Sequence, residues 1–289
     1  MTDRKKVTLP ALRRKMAAGT PLTMITCYDY SMAHLVEEAG VDMVLVGDSL
    51  GMTMLGYPST LPVTMEDMIR HGAAVHRGSP TSWLVIDMPY MSYQPSNEKA
   101  IESAGRLIAE TGADAVKLEG GREMADRIQS IERAGIPVMA HLGLTPQSAS
   151  ALGGFRLQGK TADAAIRIVE DASIVEQAGA FSILMELVPD RICRMVTERA
   201  SVPIIGLGSG PHAHGQLLIF HDVLGLYPDF APRMAKVYAD AGRLIREGLE
   251  DYVREVTQHE FPRNENTFGI EERELEAVQR ALMAGTLTS

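Results

Sequence analysis

Four times along this chain a helix-like stretch halts at a glycine and a short apolar run begins. The junctions are Glu38-Ala39-Gly40-Val41-Asp42, Glu110-Thr111-Gly112-Ala113-Asp114, Arg133-Ala134-Gly135-Ile136-Pro137 and Gln177-Ala178-Gly179-Ala180-Phe181. A glycine just past a helix accepts the left-handed conformation that closes the last turn, and a strand can start directly after it. The runs that follow, at 41–46, 113–118, 136–140 and 180–185, are apolar almost throughout, and 83–86 and 203–207 resemble them. Strands of that kind, separated by helices, are buried on both faces, as in a parallel sheet clad in helices.

Adding 22–26 at the start and 216–220 at the end gives about eight strands, the number that closes a barrel of roughly 250 residues. Helical patterns lie between them at 31–39, 65–76, 97–110, 122–134, 162–177 and 189–199. No proline- or serine-rich linker interrupts the series. The expected architecture is an α/β chain forming a single (β/α)8 TIM-barrel domain over 1–289. It has an N-terminal segment at 1–20 and a C-terminal helical extension at 231–289, patterned as helices at 231–256 and 270–283. An open doubly wound sheet is the alternative.

A formal charge of -9 offers no footprint for a polyanion, so nucleic acid is not an expected partner. The basic cluster Arg4, Lys5, Lys6, Arg13, Arg14 and Lys15 is not followed by the apolar core of a signal peptide, and no apolar run is long enough to span a bilayer. A soluble cytoplasmic protein is expected. Cys27 and Cys193 stand far apart, which suggests neither a disulfide framework nor a thiolate zinc site, and reduced thiols are the expectation.

Almost every expected strand runs into a polar residue: Asp48, Asp87, Glu119, His141 and Glu186. In a parallel barrel these ends share one rim, where the catalytic groups of this fold gather. Alternation puts Lys117 and Glu119 on one face of the fourth strand, opposite Val116 and Leu118. Counted back from Asp48 through Val46 and Val44, it leaves Met43 and Leu45 to the helix layer. Any one of the acids could instead cap the following helix. Acids from strands two, three, four and six that converged would repel one another unless a cation sat among them. Hard oxygen donors without thiolates suit Mg²⁺, less often Mn²⁺, and Lys117 adds positive charge. Zinc fits poorly, because the spacing of His141 to His34, His71 or His76 matches no ligand motif. His141 therefore reads as a hydrogen-bonding wall.

The glycine-rich apolar stretch 49–57 reads as a lid over the mouth. The loop after His141, through Gly153-Gly154-Phe155, reads as pocket wall, with a subunit contact as the alternative. Gly206-Leu207-Gly208-Ser209-Gly210-Pro211 is either a phosphate-binding turn or a set of glycines that lets the backbone turn tightly.

Several segments, in order and in register from about Met24 to Leu226, resemble the ketopantoate hydroxymethyltransferase family. They are Gly47-Asp48-Ser49-Leu50-Gly51, Leu61-Pro62-Val63-Thr64, Asp87-Met88-Pro89-Tyr90-Met91-Ser92-Tyr93, Ala115-Val116-Lys117-Leu118-Glu119-Gly120-Gly121 and His141-Leu142-Gly143-Leu144-Thr145-Pro146-Gln147-Ser148. The resemblance implies a barrel of the phosphoenolpyruvate/pyruvate type and a homo-oligomer, typically a decamer. It implies transfer of a one-carbon unit from 5,10-methylenetetrahydrofolate to 3-methyl-2-oxobutanoate, giving 2-dehydropantoate for pantothenate and coenzyme A synthesis. It further implies one Mg²⁺ per subunit on Asp48 and Asp87, with Glu119 as a ligand or holding a metal-bound water. Asp48, Ser49, Asp87, Lys117 and His141 would then surround the oxo acid, and Glu186, in Leu184-Met185-Glu186-Leu187-Val188-Pro189, would be the base.

The residue types suit that chemistry. A proton alpha to a ketone is too weakly acidic for a carboxylate to remove in water, so the enolate needs a Lewis acid on its oxygen. A lyase or mutase of the phosphoenolpyruvate group, acting on another 2-oxo acid without folate, would keep the same metal site. A barrel retained only for binding would not need so many converging charges. One segment departs from the family pattern. His212-Ala213-His214 stands where members usually carry Asp-Cys-Asp or a close variant, and Ser209 replaces a usual alanine. Imidazoles in place of acids are expected to alter the field at the barrel mouth or at a subunit contact, as in a diverged member with altered folate handling.

Overall fold

Eight parallel strands close into a barrel in chain order. They are β1 (Leu22–Thr26), β2 (Met43–Val46), β3 (Trp83–Asp87), β4 (Ala115–Glu119), β5 (Val138–Gly143), β6 (Ser182–Glu186), β7 (Ile204–Leu207) and β8 (Gly215–Leu218). The computed structural model describes residues 4–227 and 232–284. Closure by pairing of β1 with β8 excludes the open doubly wound sheet. The chain divides into two compact units, Met1–Ala239, which holds the barrel, and Asp240–Ser289.

All four junction glycines have positive φ, from 76° at Gly40 to 102° at Gly179. Each ends its helix as expected, but the strands begin about two residues later than the apolar runs do. Side chains of the intervening residues replace the first rungs of the ladder: Asp42 Oδ2 accepts the Thr23 N–H at 3.0 Å, and Asp114 Oδ2 accepts the Leu84 N–H at 2.8 Å. Four of the helices that cover the barrel start at side-chain caps. Asp29 receives the Met32 N–H, Ser96 the Lys99 N–H and Thr161 the Ala164 N–H, and Thr64 forms a reciprocal capping box with Asp67. In the helix Asn97–Thr111 the buried residues Ala100, Ala104 and Leu107 fall three and four apart, the spacing that turns one face to a sheet.

Two apolar layers result. Val44, Val46, Leu84, Ile86, Val116, Leu118, Ala140 and Ile183 pack in the larger cluster with the helices. Met43, Leu45, Val85, Ala115, Met139, Leu184, Ile205 and Leu217 pack together inside the barrel. The reading of β2 is therefore reversed: Met43 and Leu45 face inward, and Val44 and Val46 meet the helices. The strand ends at Val46, and the chain turns before Asp48, so alternation cannot be counted back through Gly47. For β4, where Lys117 and Glu119 lie within the strand, the expected parity holds.

The N-terminal segment contains a helix, Leu9–Ala17, whose Leu12 is fully buried among the barrel-interior residues and floors its N-terminal end. Part of the basic cluster is explained by this docking. Lys15 Nζ lies 2.7 Å from both Asp42 oxygens, Lys6 Nζ 2.5 Å from Asp114, and Arg4 donates to the Val41 carbonyl at 2.7 Å.

In the C-terminal extension, the helix expected at 231–256 spans Ala241–Thr257. Ala231 lies outside the described residues. Residues 232–240 are irregular because tertiary bonds replace helical ones: the Tyr238 N–H donates to the Val223 carbonyl at 2.8 Å. The second helix, Glu272–Met283, falls where expected.

Among the described residues no helix is long and apolar enough to cross a membrane. Cys27 and Cys193 are free and buried, and burial pushes the Cys27 thiol up to about 12. Replacing Leu12 with Ala should open a cavity under the barrel and lower the unfolding free energy by about 2–5 kcal/mol. Denaturant titration measures this, and an unchanged midpoint would contradict the role of the helix as a floor.

Candidate active site

The strand residues that face the interior end, at the C-terminal rim, in a ring of ionisable side chains. Val85 is followed on its face by Asp87, Ala115 by Lys117 and Glu119, Met139 by His141, and Leu184 by Glu186. Register places Asp87 beside Lys117 and Glu119 beside His141 on neighbouring strands. Asp48 joins from the turn after β2, its backbone N–H donating to Asp87 Oδ2 at 3.0 Å. None of these six side chains belongs to a residue more than 8% exposed, and all line one cavity of about 1080 Å³. Every sequence-derived site residue is therefore brought together, Ser49 included. The Ser49 hydroxyl lies 2.9 Å from Tyr28 Oη.

Lys117 sits at the centre, its Nζ 3.0 Å from Asp87 Oδ1 and 3.1 Å from His141 Nδ1. Burial opposes its charge, but Asp87, Glu119 and Asp48 together push its pKa above the usual lysine value, so it remains an ammonium. The acids are shifted the other way. Burial, with repulsion from Asp87 and Glu119, holds Asp48 well above the usual carboxylate range. Burial also lifts Asp87, and brings Glu119 up to about 7, against the pull of Lys117 in both cases.

Burial, then Lys117, lowers the pKa of His141, which is therefore a neutral imidazole at pH 7. Its Nδ1 accepts from the ammonium, so its proton is on Nε2, which lies 3.1 Å from Glu186 Oε2. His141 thus stands between Lys117 and Glu186, although its Nε2 makes no aligned hydrogen bond.

Two neutral residues hold the acids in place, and neither was singled out from the sequence. Gln147 donates from Nε2 to Asp48 Oδ2 at 2.9 Å and to the Met88 carbonyl at 3.0 Å, while its backbone N–H donates to Glu119 Oε2 at 2.9 Å. Tyr93 Oη donates to Gln147 Oε1 at 2.8 Å and accepts the Glu119 N–H at 3.1 Å. Both lie in segments that carry the family resemblance. The available signal was an amide placed in an otherwise apolar loop.

The backbone is specialised here too. Gly143 has φ 92°, and a Cβ there would lie 2.2 Å from the Glu186 carbonyl oxygen, so only glycine allows this close approach of β5 to β6. Leu187, directly after Glu186, holds φ 45°, an uncommon conformation for a bulky residue, and is fixed by backbone bonds to Leu207 and Gln158.

A divalent metal fits this donor set in part. Gln147 occupies Asp48 Oδ2 and leaves Oδ1, and the buried Asp87 Oδ1 has no aligned hydrogen bond although the ammonium is near. Among the described residues no three acidic, histidine or cysteine side chains are close enough to hold an ion unaided. Mg²⁺ accepts such a site, since it is commonly held by one or two carboxylates with water or substrate oxygens completing the octahedron.

The loops divide as follows. Met52 and Thr53, from the stretch read as a lid, and Phe155, at the end of the loop read as pocket wall, line the cavity, as does Leu157 beyond that loop. Ser209 is buried, donating to the Met185 carbonyl at 2.7 Å and accepting the Val188 N–H at 3.1 Å, so its hydroxyl joins β6 to β7 rather than facing a ligand. His214 is not at the mouth. Its carbonyl accepts the Leu22 N–H and its Nδ1 accepts the Ile204 N–H at 3.1 Å, which places it at the opposite end of the barrel where β1 and β7 begin. The chain returns from the top of β7 to the bottom of β8 within 208–214, too few residues for the imidazole to remain at the rim. His212 is exposed and lines no part of the cavity.

The family model described as ketopantoate hydroxymethyltransferase matches residues 6–264. A 3-methyl-2-oxobutanoate hydroxymethyltransferase of Heliobacterium modesticaldum is 50% identical over 268 residues, covering 93% of this chain and 97% of its own. An enzyme of the same name from Thermus thermophilus is 53% identical over 252 residues, covering 87% and 96%. Among solved structures, a phosphonopyruvate hydrolase complexed with oxalate and Mg²⁺ superposes with a TM-score of 0.59 at 15% identity, over 96% of this chain and 98% of that one. A 2,3-dimethylmalate lyase of the PEP mutase/isocitrate lyase superfamily gives 0.55 at 16%, over 87% and 98%. At such identities the likeness shows the barrel fold alone. The family rests on the sequence match, and on that basis this chain belongs to the ketopantoate hydroxymethyltransferase family.

Proposed function

We propose that the chain transfers a hydroxymethyl group from 5,10-methylenetetrahydrofolate to 3-methyl-2-oxobutanoate, giving 2-dehydropantoate for pantothenate and coenzyme A synthesis. The observation that carries this reading is the division of the rim. Asp48 and Asp87, from β2 and β3, form an acidic pair beside Lys117, while Glu186 stands on β6, four places round a ring of eight from β2. A substrate between them meets a cation-binding side and a basic side at once.

Asp48 and Asp87 would hold Mg²⁺, and Glu119 would offer Oε1 to the metal or to a water beside it. When bound, the ion supplies a Lewis acid for the ketone oxygen, which acidifies C3. Lys117 balances the negative charge that the oxo acid brings and that grows as C3 loses its proton. Ser49 donates a hydrogen bond to the substrate carboxylate. Glu186 takes the C3 proton, with His141 Nε2 3.1 Å from its carboxylate. Leu184, Leu207 and Leu217 close the inner wall to water. The new bond joins C3 to the folate methylene carbon, whose two C–N bonds break. One water supplies the hydroxyl group, and its other proton together with the proton taken from C3 ends on the two folate nitrogens as tetrahydrofolate leaves. The reading extends to a cytoplasmic homo-oligomer, a decamer in the form usual for the family.

Proton abstraction can be tested without folate. Wild-type protein with Mg²⁺ should release deuterium from C3-deuterated 3-methyl-2-oxobutanoate, and Glu186→Gln should slow that release at least 100-fold, roughly the contribution of a positioned general base. A wild type that releases none would overturn the assignment. Gln147→Leu removes a donor to Asp48, so the Mg²⁺ concentration giving half-maximal release should rise about tenfold, as for other residues that orient ligands. An unchanged Mg²⁺ dependence would show that the amide does not position the metal pair.

A further inference from the structure

The cavity is larger than its inner end requires. About 1080 Å³ is enough to enclose a drug-sized molecule, not merely a small branched oxo acid. The six ionisable groups of the rim line its inner end. The outer lining is mostly apolar, including Met52, Phe155, Leu157, Leu187 and Met234, and it contains one carboxylate, Asp222.

Asp222 is rigidly framed. It lies in the short helix Phe220–Val223 that follows β8, and the Phe220 N–H donates to Thr26 Oγ1 at 3.0 Å. The ring of His221 stacks on Tyr227, with centroids 5.4 Å apart and planes 27° apart, and sits 5.6 Å from the ring of Tyr28. Tyr227 Oη donates to the Thr53 carbonyl at 2.8 Å, and the Val223 carbonyl accepts the Tyr238 N–H. Yet the Asp222 carboxylate has neither a hydrogen bond nor an ion pair among the described residues, although burial raises its pKa. Asp222 is half-buried, so its carboxylate keeps both oxygens available as acceptors to a ligand in the cavity. Arg233, the other charged group of the outer lining, is exposed at the edge.

We propose that Asp222 receives the pterin ring of the folate co-substrate, its two carboxylate oxygens accepting the adjacent N–H donors of the 2-amino-4-oxopyrimidine edge. This rests on the folate reading above. Two parallel charge-assisted bonds fix the plane of a flat heteroaromatic group, and the apolar walls cover its faces. Arg233 suits the carboxylate tail of the same molecule. The methylene carbon is thereby presented to the inner end, where C3 of the oxo acid is deprotonated.

Asp222→Asn turns one acceptor into a donor facing a donor. It should raise the KM for 5,10-methylenetetrahydrofolate at least tenfold while the KM for the oxo acid moves less than threefold, and weaken tetrahydrofolate binding in calorimetry by at least tenfold. Asp222→Ser, which removes the paired acceptors without adding an amide, should do the same, and thermal unfolding of both variants verifies that they are folded. A folate KM within threefold of wild type, or equal rises in both KM values, would overturn the subsite alone. Wild-type protein that releases deuterium from the oxo acid but neither turns over methylenetetrahydrofolate nor binds tetrahydrofolate would contradict the folate reading, and this subsite with it.

Discussion

Lys117 carries its charge almost wholly buried, and the layout of the rim follows from that one ammonium. Its contact with Asp87 at 3.0 Å is, at an effective dielectric near 20, an attraction on the order of 5 kcal/mol. Desolvation of both partners offsets much of it, so the pair contributes geometry more than stability. Geometry is what the chemistry needs. Asp48, Asp87 and Glu119 would repel one another without a cation, and burial already shifts all three toward their neutral forms. One ammonium among three carboxylates leaves the cluster receptive to further positive charge, which is the electrostatic reason a divalent ion suits this place.

The two ends of the barrel are built for different purposes. At the N-terminal end acids are fully matched: Asp42 has Lys15 and the Thr23 N–H, Asp114 has Lys6 and the Leu84 N–H, and Leu12 fills the floor. At the C-terminal end the acids share too few partners, and the remaining capacity faces a cavity. The segment that departs from the family pattern belongs to the matched end, through His214. An imidazole nitrogen there accepts the Ile204 N–H, a task for any acceptor of suitable reach. The imidazole at that position stands at the opposite end of the barrel from the rim.

Much of this was legible from residue types alone. The junction glycines revealed the alternation of helix and strand, because a left-handed residue at a helix end is a strong local demand. The acids could be placed on one rim because strand ends in a parallel barrel point the same way. Elsewhere local signals were insufficient. Alternation failed at Asp48, which lies beyond the last hydrogen-bonded residue of β2. Gln147 and Tyr93 carry no charge, and their importance lies in bonds between loops and strands distant in sequence. The stretch before Ala241 has helical patterning, yet Tyr238 bonds across to Val223 instead. Asp222 resembles any surface acid in a short helix until the cavity beside it is seen.

On the proposed reading, the acidic pair, the ammonium and the base act together to join a folate-borne carbon to an oxo acid. The most direct measurement supplies purified protein and Mg²⁺ with 3-methyl-2-oxobutanoate and 5,10-methylenetetrahydrofolate labelled with ¹³C at the methylene carbon, and follows the label by NMR. Appearance of the label in the hydroxymethyl group of 2-dehydropantoate is the expected result. Label that stays with the folate, under conditions where the same protein removes the C3 proton of the oxo acid, would contradict it.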